Sequence, residues 1–157
     1  MTTQPTQRNL PFDISYSFHL EEMTSLFHLH CNQICTLFQW FLGAFIFAGN
    51  LHWLLGLMIV LIASLQFSAG FNEKAGNAKV QASRYRLLLD DMPNLSEDDI
   101  IKQLQAIEKS DSQVVSSLCN PARKRTSIAL HGYDLESAMP LTGREKISAI
   151  IGGGIPR

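Results

Sequence analysis

A stretch of fifty consecutive residues, 23–72, contains no Asp, Glu, Lys or Arg side chain. Four charged side chains precede this stretch and twenty-three follow it, although the chain as a whole is nearly neutral, with a formal net charge of −1. Soluble domains carry charges on about a quarter of their residues throughout. The asymmetry therefore predicts one membrane-like half and one soluble-like half. It argues against a simple soluble globule, a disordered chain, a disulfide-rich secreted module and a basic nucleic-acid coat protein.

Two apolar segments fill the charge-free stretch, with Gly49-Asn50 as the turn signal between them. The second segment, residues 51–71, is long enough to cross a bilayer as a helix. The first reaches the same length if it begins near Phe27. We therefore predict an all-α membrane protein with a two-span helical hairpin. A soluble core hairpin is the alternative, but the absence of charge leaves it without a polar outer face.

The basic residues predict how the hairpin is oriented. No base lies between the two apolar segments, whereas several follow the second one: Lys74, Lys79, Arg84 and Arg86. The positive-inside rule then places both termini in the cytoplasm, and in a bacterium the membrane would be the inner one. A signal peptide is not expected, because mostly polar residues without a basic cluster precede the apolar stretch. No disulfide is expected among the three cysteines, since they face lipid or a reducing compartment.

The sequence divides into four predicted regions. Residues 1–30 form an amphipathic cytoplasmic segment that continues into the first membrane helix, and residues 31–71 form the hairpin. Residues 72–130 form a cytoplasmic helical bundle that the second membrane helix enters without a break. Residues 131–157 form a tail with a short helix at 144–151 and a loose end.

The bundle begins with small and apolar residues at alternating spacings of three and four, which is the pattern of a heptad seam. We expect copies of the chain to associate through this seam, which consists of Ala75, Ala78, Ala82, Tyr85 and Leu89. Pro93 should end the first helix of the bundle. A return helix should follow from Ser96, interrupted on its apolar face by Asp111. Pro121 should then open a short basic helix.

Polar and small residues form a stripe along the first membrane helix, and this stripe comprises Asn32, Thr36, Gln39, Gly43 and Asn50. Because polar groups are costly in lipid, the stripe should face water or other helices. We expect it to line a pore between several copies, since one hairpin cannot shield it all. Dry hydrogen bonding between helices is the alternative. Glu21 and Glu22 would form an acidic ring at the cytoplasmic mouth, or else be ordinary surface acids.

A basic cluster, Arg123-Lys124-Arg125, lies just after Pro121. Guanidinium groups near a helix start can bind phosphates, so we expect this cluster to contact a phosphate-bearing ligand. A solvated basic face or a contact with lipid headgroups is the alternative.

Enzyme motifs are missing from the sequence: there is no glycine-rich phosphate loop, no H-E-x-x-H and no G-x-S-x-G. His28, Cys31 and Cys35 share a helical face and include zinc-compatible donors. Packing of small side chains is the simpler interpretation of that trio. We therefore expect neither catalysis, nor a cofactor, nor a bound metal.

The order of the predicted elements, together with residues 71–89, Arg84-Tyr85-Arg86 and Asn120-Pro121-Ala122, resembles the SLATT family of two-span bacterial effectors. The resemblance covers roughly residues 33–130, and the tail departs from it. It implies a pore that permeabilises the inner membrane during phage infection. Within that family, this short chain without an extra domain is most similar to the membrane effector of the Hailong type. In that type a partner nucleotidyltransferase makes a DNA oligomer that holds the channel closed.

The sequence thus predicts a homo-oligomeric channel, with a tetramer favoured, that acts in antiphage defence under control of a nucleotide or single-stranded DNA oligomer. Two rival functions remain open at this point. One is a phage holin-like pore, and the other is a non-conducting membrane scaffold or receptor.

Overall fold

A computed structural model describes residues 9–46, 52–134 and 139–156, and within these ranges the chain is helical without any strand. The elements are α1 (Leu10–Ile46), α2 (His52–Ala69), α3 (Phe71–Asp91), a 3₁₀ turn (Met92–Asn94), α4 (Glu97–Glu108), α5 (Ser116–His131) and α6 (Gly143–Ile151). The predicted all-α class is confirmed.

The longest helix, α1, has 37 residues and extends over about 55 Å. Helices α2 and α3 run antiparallel to it, one after the other. His52 lies beside Ile46, Gln66 beside Asn32, and the ring of Phe71 beside that of His28. Helix α2 therefore packs along the C-terminal half of α1, and α3 packs along its N-terminal half.

Gly70 separates α2 from α3 and adopts a left-handed backbone conformation, with φ of 59°. Glycine enters this region without the steric cost that a Cβ atom brings. The amide of Gly70 still donates to the carbonyl of Gln66 at 3.2 Å. The prediction that the second apolar helix enters the bundle without a break is wrong at this glycine, where the helix is interrupted for one residue before α3 begins.

The helix that begins at His52 is the one described helix that is long and apolar enough to cross a membrane, and none of its most apolar 18-residue window is buried. Large apolar side chains are exposed on both α1 and α2, among them Trp40, Phe41, Trp53 and Phe67. An apolar surface of this extent requires lipid or another apolar cover. The turn predicted at Gly49-Asn50 lies outside the described residues. That the first apolar segment, in α1, also spans the membrane stays a prediction.

The N-terminal half of α1 is the central helix of a bundle. On one side Leu10 and Ile14 pack with buried residues of α3 and α4, including Tyr85 and Leu104. On another side Met23 packs with buried residues of α5 and α6, which are Leu118, Ala122 and Ala149. The N-terminal segment is continuous with the first apolar segment, as predicted, and it contributes to two hydrophobic cores.

The predicted return helix is divided into α4 and α5, because residues 109–115 between them are not helical. Side chains of α1 and α3 bind this segment, and their hydrogen bonds replace those of a continuous helix. Pro121 does not open a helix, since it lies buried inside α5, one turn after the helix begins. The end of the return helix, predicted at Asn120-Pro121, is therefore corrected to residues 109–115, the segment that contains Asp111.

The C-terminal tail packs back onto the bundle. Its short helix, α6, matches the prediction and begins with a capping box formed by Thr142 and Glu145. The expected loose end is wrong for residues 152–154. There the guanidinium of Arg125 donates to the carbonyls of Gly153 and Gly154 at 3.2 and 3.1 Å. Gly153 has a φ of 107°, which favours glycine, and a Cβ atom there would lie 2.8 Å from the Cδ1 of Leu26.

Candidate functional site

A cluster of polar side chains lies between α1 and α2, inside the charge-free stretch. The Nε2 of Gln66 donates to Asn32 Oδ1 at 3.1 Å and to Thr36 Oγ1 at 3.2 Å. The Nε2 of Gln39 donates to Gln66 Oε1 at 2.6 Å. These four residues, which we call the Gln66 cluster, are partly buried and hydrogen-bond to one another within one chain.

The Gln66 cluster changes the interpretation of the polar stripe. Asn32, Thr36 and Gln39 have a hydrogen-bond partner within their own chain, because Gln66 of α2 meets all three, and the expectation that the stripe lines a pore stays a prediction. Gly43 lies half-buried farther along α1, and Asn50 lies outside the described residues. Gln66 is absent from the residues predicted to form the site, although it is the one amide side chain in the second apolar segment.

A second polar network holds residues 109–115 against α1 and α3. The carboxylate of Asp111 accepts from Tyr85 Oη at 2.6 Å and from Gln81 Nε2 at 2.8 Å. The backbone amide of Ser112 donates to Glu21 Oε1 at 2.9 Å. Burial and the neighbouring Asp111 raise the pKa of Tyr85, so its hydroxyl stays protonated and donates. We call this network the loop network; it consists of Glu21, Gln81, Tyr85, Asp111 and Ser112.

The two acidic residues predicted at a pore mouth occupy different environments. Glu21 is buried in the loop network, and burial raises the pKa of its carboxyl. Glu22 is partly exposed beside His19 and Arg125, and its interaction with His19, 3.7 Å away, lowers the pKa of its carboxyl. A buried carboxyl bonded to its own chain is not placed in a solvent-facing ring. The prediction that Glu21 and Glu22 form an acidic ring is therefore corrected, because Glu21 is bonded inside the bundle.

Replacing Glu21 by glutamine should reduce the pH dependence of stability. The pKa of Glu21 is raised above 4.5, so its contribution to stability is complete below pH 4.5 and is lost as the pH rises through the raised value. The glutamine side chain retains an oxygen that can accept from the Ser112 amide but does not titrate. Urea unfolding at several pH values should show the wild-type free energy of unfolding falling relative to Glu21→Gln between pH 4.5 and neutrality. A constant difference would contradict this assignment.

The basic cluster does not form one anion-binding face. Lys124 is buried, and its ammonium pairs with Asp134 at 2.7 Å. Arg125 binds the backbone of the C-terminal tail, as described above. Arg123 alone of the three is exposed, beside a depression that Asp13 and Tyr16 help to line. The prediction that Lys124 and Arg125 contact phosphate is therefore corrected, because both side chains bind groups of their own chain and stabilise the bundle.

The predicted oligomer seam faces α1 of its own chain. Ala75, Ala78, Ala82 and Tyr85 are buried, and the carbonyl of Ala75 accepts from Ser25 Oγ at 2.8 Å. Leu89 is half-buried against the core that α1, α3 and α4 share. Small residues allow α1 and α3 to approach closely. The periodicity correctly predicts a packed seam, but the assignment of that seam to another copy is wrong.

Neither a metal cluster nor a disulfide occurs within residues 9–46, 52–134 and 139–156. His28 lies against Phe71, with ring centroids 6.0 Å apart, and Cys31 and Cys35 are free thiols.

Comparison with known proteins yields no matching family, no similar curated protein and no similar solved structure.

Proposed function

We propose that this chain is a subunit of an oligomeric channel in the bacterial inner membrane. In this proposal α1 and α2 form a two-span hairpin, both termini are cytoplasmic, and the other helices form a cytoplasmic bundle. The observation that carries the proposal is the Gln66 cluster. Four polar side chains lie between α2 and the charge-free part of α1, residues 23–46, where the outward side chains are largely apolar and exposed.

The Gln66 cluster provides a closed state for such a channel. With these hydrogen bonds formed inside each hairpin, each side chain of the cluster has a partner within its own chain. In the open state α1 turns away from α2, and Asn32, Thr36 and Gln39 face a water-filled lumen between copies. Hydrogen bonds between membrane helices contribute only about 1 kcal/mol each, so water can replace them at small cost. A ligand that binds the two states differently can then shift the equilibrium.

Replacing Gln66 by leucine should increase the open fraction, because it removes the closed-state partner of the α1 stripe. A loss of about 1–2 kcal/mol from the closed state corresponds to a roughly five- to thirtyfold shift toward opening. Gln39→Leu should instead lower the single-channel conductance, since it makes the lumen less polar. Currents across a planar bilayer containing each purified variant measure both effects.

Ser64→Ala is the matched control for these variants. The Oγ of Ser64 is exposed and donates to Val60 of its own helix at 2.9 Å, so its loss should leave the current unchanged. Identical currents from the wild type, Gln66→Leu, Gln39→Leu and Ser64→Ala would remove the Gln66 cluster from the conduction path.

We further propose that the channel acts in antiphage defence and is held closed by a nucleotide or single-stranded DNA oligomer from a partner nucleotidyltransferase. The support for this step is the resemblance to the SLATT family. Arg123 is the residue of the basic cluster that we retain as a phosphate contact, because it is exposed. Adding a single-stranded DNA oligomer should reduce the wild-type current and leave the current of Arg123→Glu less affected.

A non-conducting membrane scaffold is the second candidate function. It is favoured by the same hydrogen bonds, since a hairpin that satisfies its own polar groups needs no water-filled lumen. Stable oligomers without current, with or without the DNA oligomer, would support the scaffold. Cell lysis that requires a co-expressed endolysin would instead support a holin-like pore.

A further inference from the structure

A small polar cavity lies where α1 passes from the bundle into the hairpin. Its volume is about 60 Å³, and it lies between α1, α3 and the segment 109–115. Its lining consists of His28, Lys74, Asn77, Ser112 and Gln113. Every one of these side chains can donate a hydrogen bond, and Lys74 adds a positive charge.

Two polar atoms of this lining are buried without a partner in the described part of the chain. They are the Nδ1 of His28, a residue only 9% exposed, and the Oγ of Ser112, which lies beside the equally buried Oε2 of Glu21. Buried polar atoms are nearly always hydrogen-bonded, because leaving one unpaired is costly. The Ser112 hydroxyl can donate to the Glu21 carboxyl, so His28 Nδ1 is the atom of this lining that still needs a partner.

We propose that this cavity binds a phosphate group. A water molecule needs about 10–15 Å³ of such space, so 60 Å³ accommodates four or five groups of that size. The four oxygens of a tetrahedral phosphate fit this volume, whereas a sugar or a nucleobase does not. Lys74 supplies the opposite charge, and the surrounding hydroxyl, imidazole and amide groups supply the donors.

The neighbouring acids are already engaged by the protein. The carboxylate of Asp111 accepts from Gln81 and Tyr85, and Glu21 Oε1 accepts from the Ser112 amide. Neither acid lines the cavity. Burial raises the pKa of Glu21, which favours its neutral form and weakens its repulsion of an anion.

The position of the cavity allows two sources for the phosphate group. Lys74 follows Gly70 by four residues, or about 6 Å along a helix. The headgroup layer extends about 5–7 Å beyond the hydrocarbon core. If α2 spans the membrane, as the proposed function requires, the cavity therefore lies at the depth of phospholipid headgroups. Free inorganic phosphate from the cytoplasm offers the same chemistry.

Thermal unfolding of the detergent-purified chain tests whether the cavity binds free inorganic phosphate. The unfolding midpoint in phosphate is compared with the midpoint in sodium chloride of equal ionic strength. Native mass spectrometry after reconstitution in phosphatidylglycerol nanodiscs tests the lipid source. Lys74→Gln should weaken either form of binding by about tenfold or more, because it removes a charge-assisted bond. Asn77→Asp, an exposed change on α3, should weaken it as well by repulsion. The control is Lys79→Gln, since Lys79 is exposed on the same helix outside this cavity.

A phosphate-specific rise in the unfolding midpoint that Lys74→Gln and Asn77→Asp abolish, and Lys79→Gln retains, supports a free-phosphate site. Retained phosphatidylglycerol with the same variant pattern supports a lipid site. Equal responses of the wild type and all three variants in both assays would overturn the proposal. Neither assay measures current, so this result is independent of whether the chain conducts.

Discussion

Replacing Asp111 by alanine should lower the free energy of unfolding by about 3 kcal/mol. The change leaves Gln81 Nε2 and Tyr85 Oη without their shared acceptor, and both side chains are almost fully buried. An unpaired buried donor costs about 1–3 kcal/mol. Gln81 retains the carbonyl of Ile107 as a second acceptor, so the larger share of the loss should come from Tyr85. Urea unfolding in detergent, followed by circular dichroism, measures the effect.

Two further variants make the Asp111 experiment specific. Asp111→Asn keeps an oxygen acceptor without the charge, so its loss of stability should be clearly smaller. Asp90→Ala removes an exposed carboxylate from α3 and should change the free energy of unfolding by less than about 0.5 kcal/mol. Equal stability of Asp111→Ala and Asp90→Ala would show that the loop network does not hold the segment 109–115.

Replacing Ala78 by leucine should destabilise each subunit by about 3 kcal/mol. Ala78 is completely buried where α3 packs on α1, so a larger side chain must force the two helices apart. Chemical unfolding of the purified chain measures this loss. Size-exclusion chromatography with light scattering shows in parallel whether the wild type and the variant form the proposed oligomer.

Gly76→Ala is the matched control for this helix. Gly76 is exposed, and a Cβ atom there would meet nothing within 4 Å. Alanine should therefore raise the free energy of unfolding by about 0.5–1 kcal/mol through its higher helix propensity. Dissociation of the oligomer by Ala78→Leu without any loss of subunit stability would contradict the intrachain seam and restore the original assignment.

The seam illustrates what periodicity can predict. The spacing of Ala75, Ala78, Ala82 and Tyr85 correctly indicates a helix with one packed face. Spacing carries no information about which helix covers that face, because a helix of the same chain and a helix of another copy need the same small residues. The long continuous α1, the all-helical class and α6 follow from local patterns and were predictable for that reason.

The contacts that were missed join residues far apart in the sequence. Glu21 and Ser112 are 91 positions apart, and their bond helps to interrupt a helix that the apolar stripe from Ile100 to Leu118 predicts. Gln66 and Gln39 belong to different helices, and nothing local indicates that they meet. The interruption of the helix at Gly70 had a local signal in the glycine itself, although glycine also occurs within helices such as α3 at Gly76.

The most direct test of the channel is a planar-bilayer recording of the purified, oligomeric wild-type chain without any DNA oligomer. We predict discrete current steps from the wild type, and we predict that Gln66→Leu increases the fraction of time spent open. An absence of current from both proteins, with oligomers present in the same preparations, would contradict the channel.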